Sequence, residues 1–461
     1  MSEVFTAKGM WWLPDNPEKK LSGEISYSSI GGAEIDLYNY FFEELSVDPL
    51  TVWGITTDGK KITVFDGYTR NMTLHSSGAK VSKIASNFSV TGGHYRSKEE
   101  LRFFEVSASL NHLQRWVWST GIKIVPDGTG MKWTITQERQ PDIPLGMIGD
   151  LELLLEFEGN LKPGFGSCKL SESCLLTIKA QKATDYSVLE KVIQQFQHFL
   201  ALGVSRPVYA LSVKGRPEKR SDDVAVLVKQ PVCEVLRKLS MDGHREKEIF
   251  PHEMQFSMSD LEVDVISVVE RYFERYSLLK PICDLYFSTL YNPGMYIQQR
   301  FLALAHAVEA YHRTFVRGQY QSDEEYQSGV QQTLWDAIPT DLDKDFRASL
   351  KNKLKYLHEF SLRKRLQEIC GQFEAILKPY LGEASEFSGI TADVRNYLTH
   401  RDPRDKSRSE IPGGIDLWCR CEQLSLLLEV CLLHELGFGE QMISDLLPRN
   451  SRIRKIELNR K

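Results

Sequence analysis

The sequence predicts an α+β protein. An N-terminal antiparallel β-rich domain, a sandwich or curled barrel with helices, precedes an all-α helical bundle. Three observations carry this expectation. Short runs up to about residue 183 alternate apolar and polar residues between turn signals. The period changes near residue 184 to that of a helix. From about residue 291 onward only helical periodicity is found. The expected parts are therefore a β-rich region at 1–183, a mixed and helical connection at 184–290, and a bundle at 291–461.

The strands come first. GEISYSS (23–29) and AEIDLYNYF (33–41) alternate around Gly31-Gly32. LTVWGITTDGKKITVF (50–65) reads as a hairpin about Asp58-Gly59, a strong turn pair. LRFFEVSASL (101–110) continues the alternation, and TGIKIVPDGTGMKWTIT (120–136) reads as a second hairpin about Pro126-Asp127-Gly128. LELLLEFE (151–158) and CLLTIKA (174–180) complete the set. Ser187 and Glu190 have the spacing of a capping box. It would open a helix carrying Leu189, Val192, Ile193, Phe196, Phe199 and Leu200. A charged stretch and the apolar run VAVLV (224–228) follow, and residues 259–281 are helical again.

In the bundle, Ile297, Phe301, Leu304, Val308, Tyr311 and Phe315 recur at steps of four and three, the stripe of a helix of about six turns. Phe346, Leu350, Leu354 and Leu357 predict another, and Leu362, Leu366 and Ile369 a third with Ser361 as N-cap. Leu417, Cys421, Leu424, Leu428 and Cys431 predict a fourth, ended by Gly437.

Composition narrows the function classes. The 461 residues are 42% hydrophobic and 26% charged with a net charge of −5, so any contact with nucleic acid must come from a local basic patch. No apolar run reaches membrane-spanning length and the N-terminus lacks a secretory pattern, so a cytoplasmic protein is expected. The 8 cysteines include no Cys-x2-Cys pair. Cys168/Cys174 and Cys419, Cys421, Cys431 with His434 are the tightest clusters. The latter has donors for a metal, but Cys421 and Cys431 lie on an apolar helical stripe, where core cysteines belong. Trp11, Trp12, Trp53, Trp116, Trp118 and Trp133 read as core or interface aromatics rather than a base-stacking platform.

An arginine followed at five to seven residues by histidine occurs at Arg70/His75, Arg237/His244, Arg245/His252, Arg300/His306 and Arg395/His400. Spacing alone is therefore uninformative. The first three lie among strands or charged stretches. Arg300 and His306 fall on different faces of one helix. Arg395, Asn396 and His400 (RNYLTH) end a helical segment before a polar loop, and their convergence would need the helix to end or bend inside the motif. Histidine exchanges protons near neutrality, arginine offers a fork of donors to phosphate oxygens, and asparagine can orient either histidine or substrate. Neither the acidic clusters of a two-metal nuclease nor a nucleotide-binding P-loop is present. The set suits RNA cleavage, in which the 2′-OH attacks the adjacent phosphorus to leave a 2′,3′-cyclic phosphate and a 5′-OH. No metal or other cofactor is expected. Arg401, Arg404, Lys406 and Arg408 follow as RNA-binding candidates, with Arg363, Lys364 and Arg365 and the basic C-terminal tail as further cations.

The phrases RFLALAHAVEAYHR, SLRKRLQEI and VRNYLTHRD resemble the Apea-type branch of the HEPN domains. WWLPDNPEKKLSGEISYS, the DGKKITVF hairpin and SRPVYALSV are similar to the N-terminal domain of ApeA anti-phage proteins. The resemblance implies a metal-independent ribonuclease with Arg395, Asn396 and His400 in the motif roles. It implies a homodimer through the bundle whose two motifs share one cleft. It also implies a toxin-like, abortive-infection role in which tRNA is cut near the anticodon and the N-terminal domain senses a phage-derived trigger. An acidic or polar residue on the first bundle helix often lies near such sites, which makes Glu309 and His312 accessory candidates. The alternatives are a non-catalytic HEPN module that binds RNA or protein, and a sensor whose N-terminal domain is the active part.

Overall fold

All but one pair of the strands of the N-terminal half join one antiparallel sheet that closes on itself at one end. In this computed structural model, residues 4–42, 48–74, 76, 78, 80–129, 133–217, 232–239, 248–261, 264–400 and 413–458 are described. They fall into two units, residues 1–251 with 256–270, and residues 252–255 with 271–461.

The first unit holds β1 (Val4–Leu13), β2 (Asn16–Ser28), β3 (Gly32–Leu37), β4 (Leu50–Thr56), β5 (Lys61–Leu74), β6 (Lys80–Ser86), β7 (Phe88–Thr91), β8 (Arg102–Leu110), β9 (Ile122–Pro126), β10 (Trp133–Gln137), β11 (Ile143–Ile148), β12 (Leu151–Gly164), β13 (Ser167–Asp185), β14 (Ala210–Pro217) and β15 (Cys233–Arg237). The sheet order is β11-β12-β13-β8-β14-β15-β7-β5-β4-β1-β2-β3-β6, and β6 also pairs with β5. That last pairing closes β5, β4, β1, β2, β3 and β6 into a barrel, which decides between the two β architectures expected. β5 makes closure possible by changing partners. Ile62–Phe65 pair with β7 and Tyr68–Leu74 with β6. Between them the backbone bends at Asp66 (φ 49°) and Gly67, where a Cβ would crowd the Ile84 side chain. Trp11, Ile25, Ile35, Leu37, Val52, Ile62 and Val64 fill the barrel with no exposed surface.

The Asp58-Gly59 hairpin forms as expected, with Gly59 at φ 83°. The second expected hairpin, β9–β10, is a two-stranded sheet of its own. Trp11, Trp12 and Trp116 are buried, whereas Trp118 and Trp133 are exposed, which departs from the core reading for those two. α1 (Leu113–Val117) and α2 (Tyr186–Val204) follow β8 and β13. α2 buries all six stripe residues, and Trp116 packs edge to face on its Phe199 and on Phe256. Its N-cap is Asp185, so Ser187 lies inside the helix and the Ser187/Glu190 capping box is not formed. The run 224–228 lies outside the described residues.

The second unit begins within α3 (Val265–Leu290), which continues past Pro281, and is helical thereafter. It holds α4 (Ile297–Phe315), α5 (Asp323–Tyr326), a π turn, α6 (Gln332–Asp336), α7 (Lys344–Leu354), α8 (Leu362–Gln372), α9 (Glu374–Leu381), α10 (Ala384–His400), α11 (Gly414–Glu435), α12 (Glu440–Leu446) and α13 (Ser451–Leu458). α11 is the central element. All five of its expected stripe residues are buried, and α4, α9, α12 and α13 pack around it. Burial on every side also encloses its glutamates, and each finds a cation. Glu422 meets Arg300 at 2.7 Å and Arg452 at 3.0 Å; Arg452 also grips Glu429, which accepts from the Tyr286 hydroxyl at 2.6 Å. Arg452 is thereby a structural clamp of α13 on α11, not a solvated tail cation.

Ser361 caps α8 by accepting from the Lys364 N–H, and Leu362, Leu366 and Ile369 are buried beneath it. α7 differs from expectation. It is helical, but none of its residues is buried, so its apolar stripe is not part of the bundle core. None of the described helices is long and apolar enough to cross a membrane.

Candidate active site

α10 carries the RNYLTH motif and is one uninterrupted helix through His400. The expected end or bend inside the motif is absent, because the backbone keeps helical geometry up to the last described residue before the loop. On a straight helix five residues turn about 140° and advance about 7.5 Å, so Arg395 and His400 point apart. Asn396 and His400, four apart, are neighbours on one face. That face runs from buried Ala392 through half-buried Asn396 to exposed His400. A second face runs from Thr391 to Arg395, and there the Thr391 hydroxyl and the Arg395 Nε are enclosed with no partner among the described residues. α4, α8 and α10 pack against one another, so α10 stands on a rigid base.

Partner accounting separates the Arg/His pairs. Arg70 is paired with Glu34 at 2.9 Å, Arg237 with Glu190, and Arg300 with Glu422. Arg395 is half-buried and meets no carboxylate among the described residues. Of the four described arginines in the pattern it alone has no carboxylate among the described residues. His75, His244 and Arg245 lie outside the described residues, as do Arg401, Arg404, Lys406 and Arg408.

A model of the ApeA N-terminal domain 1 matches residues 6–272, and a model of the Apea-like HEPN domain matches residues 302–441. The first covers more than half of the chain. The chain belongs to the ApeA family of HEPN proteins. No curated protein matches it, and no solved structure does. The HEPN match spans from α4 into α12 and includes the whole RNYLTH motif.

In this ApeA-type chain the accessory candidates sit inside a separate network. His312 has no exposed surface. Its Nε2 lies 2.8 Å from Glu368 and its Nδ1 3.0 Å from an Arg365 nitrogen. Arginine can only donate, so Nδ1 accepts and the ring proton stays on Nε2, facing Glu368. Burial holds the His312 pKa below its ordinary value, and the neighbouring Arg365 charge acts in the same direction. Arg365 also donates to the carbonyls of Phe360 (2.9 Å) and Arg317 (2.9 Å) and to Glu359 (3.2 Å). Glu359 in turn holds Arg313, which reaches Glu309 at 3.2 Å. His312 is thus enclosed rather than presented to a ligand, and Glu309 is half of an i,i+4 pair. Arg365 is equally unsuited to line a cleft, while Arg363 is paired with Asp393 at 3.0 Å.

Arg365, expected among the RNA-facing cations, is buried instead, and the sequence carries a signal for it. Ser361 sets the phase of α8, and Leu362, Arg365, Leu366 and Ile369 then share one face. A charge on an apolar stripe announces a buried partner. Cys421 and Cys431 are buried in the bundle, and burial pushes the Cys421 thiol up to about 12. Among the described residues no three His, Cys, Asp or Glu side chains gather into a metal-binding group.

Proposed function

We propose that this ApeA-family chain is a metal-independent endoribonuclease acting in anti-phage defence, with tRNA, in its anticodon loop, as the first substrate to test. The observation that carries this is Arg395, which meets no carboxylate among the described residues, on the same helix as the exposed His400, inside a HEPN match. In the reaction a histidine takes the 2′-OH proton, the 2′ oxygen attacks phosphorus, and a second acid protonates the departing 5′ oxygen. Arginine stabilises the charge that develops on the non-bridging oxygens. Asn396, one turn below His400, orients the imidazole.

One straight α10 offers one histidine, with its arginine pointing elsewhere. A two-fold dimer of bundles supplies a base from one copy, an acid from the other and two phosphate clamps, which supports a homodimeric site. The test is incubation of the full-length protein with tRNA in EDTA, beside Arg395→Ala and His400→Ala variants. Cleavage to cyclic-phosphate ends that falls at least about 100-fold in each variant is expected. RNA that is bound but stays intact with the unaltered chain would favour the non-catalytic module. Unchanged cleavage by folded His400→Ala would remove the catalytic assignment.

A further inference from the structure

The segment between α4 and α8 leaves the bundle and returns to it at a stapled base. Gln319 bridges Glu359 in antiparallel fashion, the Tyr320 N–H donates to the His358 carbonyl at 2.8 Å, and the Phe360 N–H donates to the Gly318 carbonyl at 3.0 Å. Within the excursion the Tyr326 hydroxyl donates to the Leu354 carbonyl at 2.5 Å, and His358 stacks on Tyr326 with ring centroids 4.3 Å apart. It is a built element, hung from two helices that pack against α10.

Its exposed and half-buried side chains have an unusual composition. Phe346 is 53% and Tyr356 65% exposed. From Lys344 to Tyr356 five cations, Lys344, Arg347, Lys351, Lys353 and Lys355, stand against one acid, Asp345, in a chain of net charge −5. None of the five meets a carboxylate among the described residues, unlike Arg313, Arg363 and Arg365 nearby in sequence. Lys351 sits over the Trp335 ring at 5.3 Å, and Trp335 Nε1 and Arg347 Nε are enclosed donors with no acceptor among the described residues. Phe346 and Lys353, seven residues apart, share one face of α7.

We propose that α7 and the turn after it form a binding surface for single-stranded RNA. The unpaired cations complement phosphates, and the exposed rings offer planes on which unpaired bases stack. A neutral protein surface would cover the apolar side chains but leave the cations unanswered; a polyanion with flat apolar bases answers both. The choice of RNA as the strand rests on the ribonuclease reading above, whereas the basic and aromatic surface does not.

The full-length His400→Ala protein is titrated onto a labelled single-stranded RNA of about 20 nucleotides across a salt series. Replacing exposed Lys344, Lys353 and Lys355 by Ala is expected to weaken binding about 10- to 100-fold at about 0.1 M salt and to flatten the log–log salt slope by about 2, at about 0.7 per phosphate contact. Phe346→Ala with Tyr356→Ala is expected to weaken binding about fivefold or more and leave the slope unchanged. With His400 restored, the lysine variant should raise KM and keep kcat. Unchanged affinity and slope in both variants would overturn the surface, as would a loss of self-association by the aromatic variant with RNA binding intact. If the unaltered chain fails to cut RNA but the lysine variant loses binding, the surface stands and the ribonuclease reading falls. If the unaltered chain cuts and neither variant alters binding or KM, the reverse holds.

Discussion

Two arginine–histidine pairs in the helical unit invite comparison. Arg365 and His312 are fully enclosed, joined at 3.0 Å and continued into Glu359 and Glu368. Arg395 and His400 lie on one helix, the arginine without a described partner and the histidine in solvent. The residue types are the same, but their environments are opposite. A guanidinium whose donors are taken up by carbonyls, an imidazole and a carboxylate holds the fold and has little left for a substrate. A half-buried guanidinium whose enclosed Nε has no partner among the described residues keeps a donor available, and the proposed role gives it a phosphate, the partner its fork fits.

The comparison is broken most severely at Arg365. Arg365→Ala strands His312 Nδ1 and the Phe360 and Arg317 carbonyls without their donor and leaves Glu359 with Arg313 alone. It is expected to cost about 3–5 kcal/mol of stability, read as a large drop in the denaturant midpoint. A loss under about 1 kcal/mol would show that the network is not what holds α4 to α8. Next comes the histidine contrast. His400→Ala should lower RNA cleavage by at least about 100-fold, or about 2.7 kcal/mol, while shifting stability by less than about 0.5 kcal/mol. His312→Ala should do the reverse in kind, destabilising by about 1–3 kcal/mol through the stranded Glu368 and Arg365 groups. Equal melting temperatures for the two variants would erase the distinction drawn here.

Gly318 sharpens the comparison from the side of the backbone. It has φ 71°, and a Cβ there would run into the His312 ring. Gly318→Ala is therefore expected to cost about 1–3 kcal/mol, measurable by thermal melting, with little change in the cleavage chemistry. The smallest effect is that of pH on His312. Burial keeps its folded pKa below the unfolded value of 6.5, so the unfolded chain takes up the proton first as pH falls. Its contribution to stability is complete above about 6.5 and is lost as pH drops through the folded value. Stability measured between about pH 8 and pH 5 should fall more steeply for the unaltered chain than for His312→Gln; parallel curves would count against the neutral, enclosed imidazole.

Much of the fold was legible because it depends on neighbours in the chain. Alternation marked the strands, Asp58-Gly59 the β4–β5 turn, Ser361 the start of α8 and Gly437 the end of α11. These signals are local: a period, a cap or a positive φ acts within a few residues. Where a local signal had a rival, it misled. Ser187 has capping-box spacing, yet α2 starts at Tyr186 because β13 delivers the chain there. The stripe of α7 has the bundle period, yet an amphipathic pattern does not say what will cover it.

The sequence by itself determined the two classes of structure, their order along the chain, the helical phase of each stripe and the presence of RNYLTH in a helix of the second half. Tertiary structure alone decided which arginine is paired. It also decided that β5 would bend between two partners and close a barrel, that α10 would run straight through His400, and that Arg365 rather than a surface cation would lock His312. The physical reason is common to all of these. Pairing, closure and burial are contacts between residues distant in sequence, such as Arg365 with His312 or β5 with β6, and their free energies depend on solvent exclusion that exists only once those segments have met.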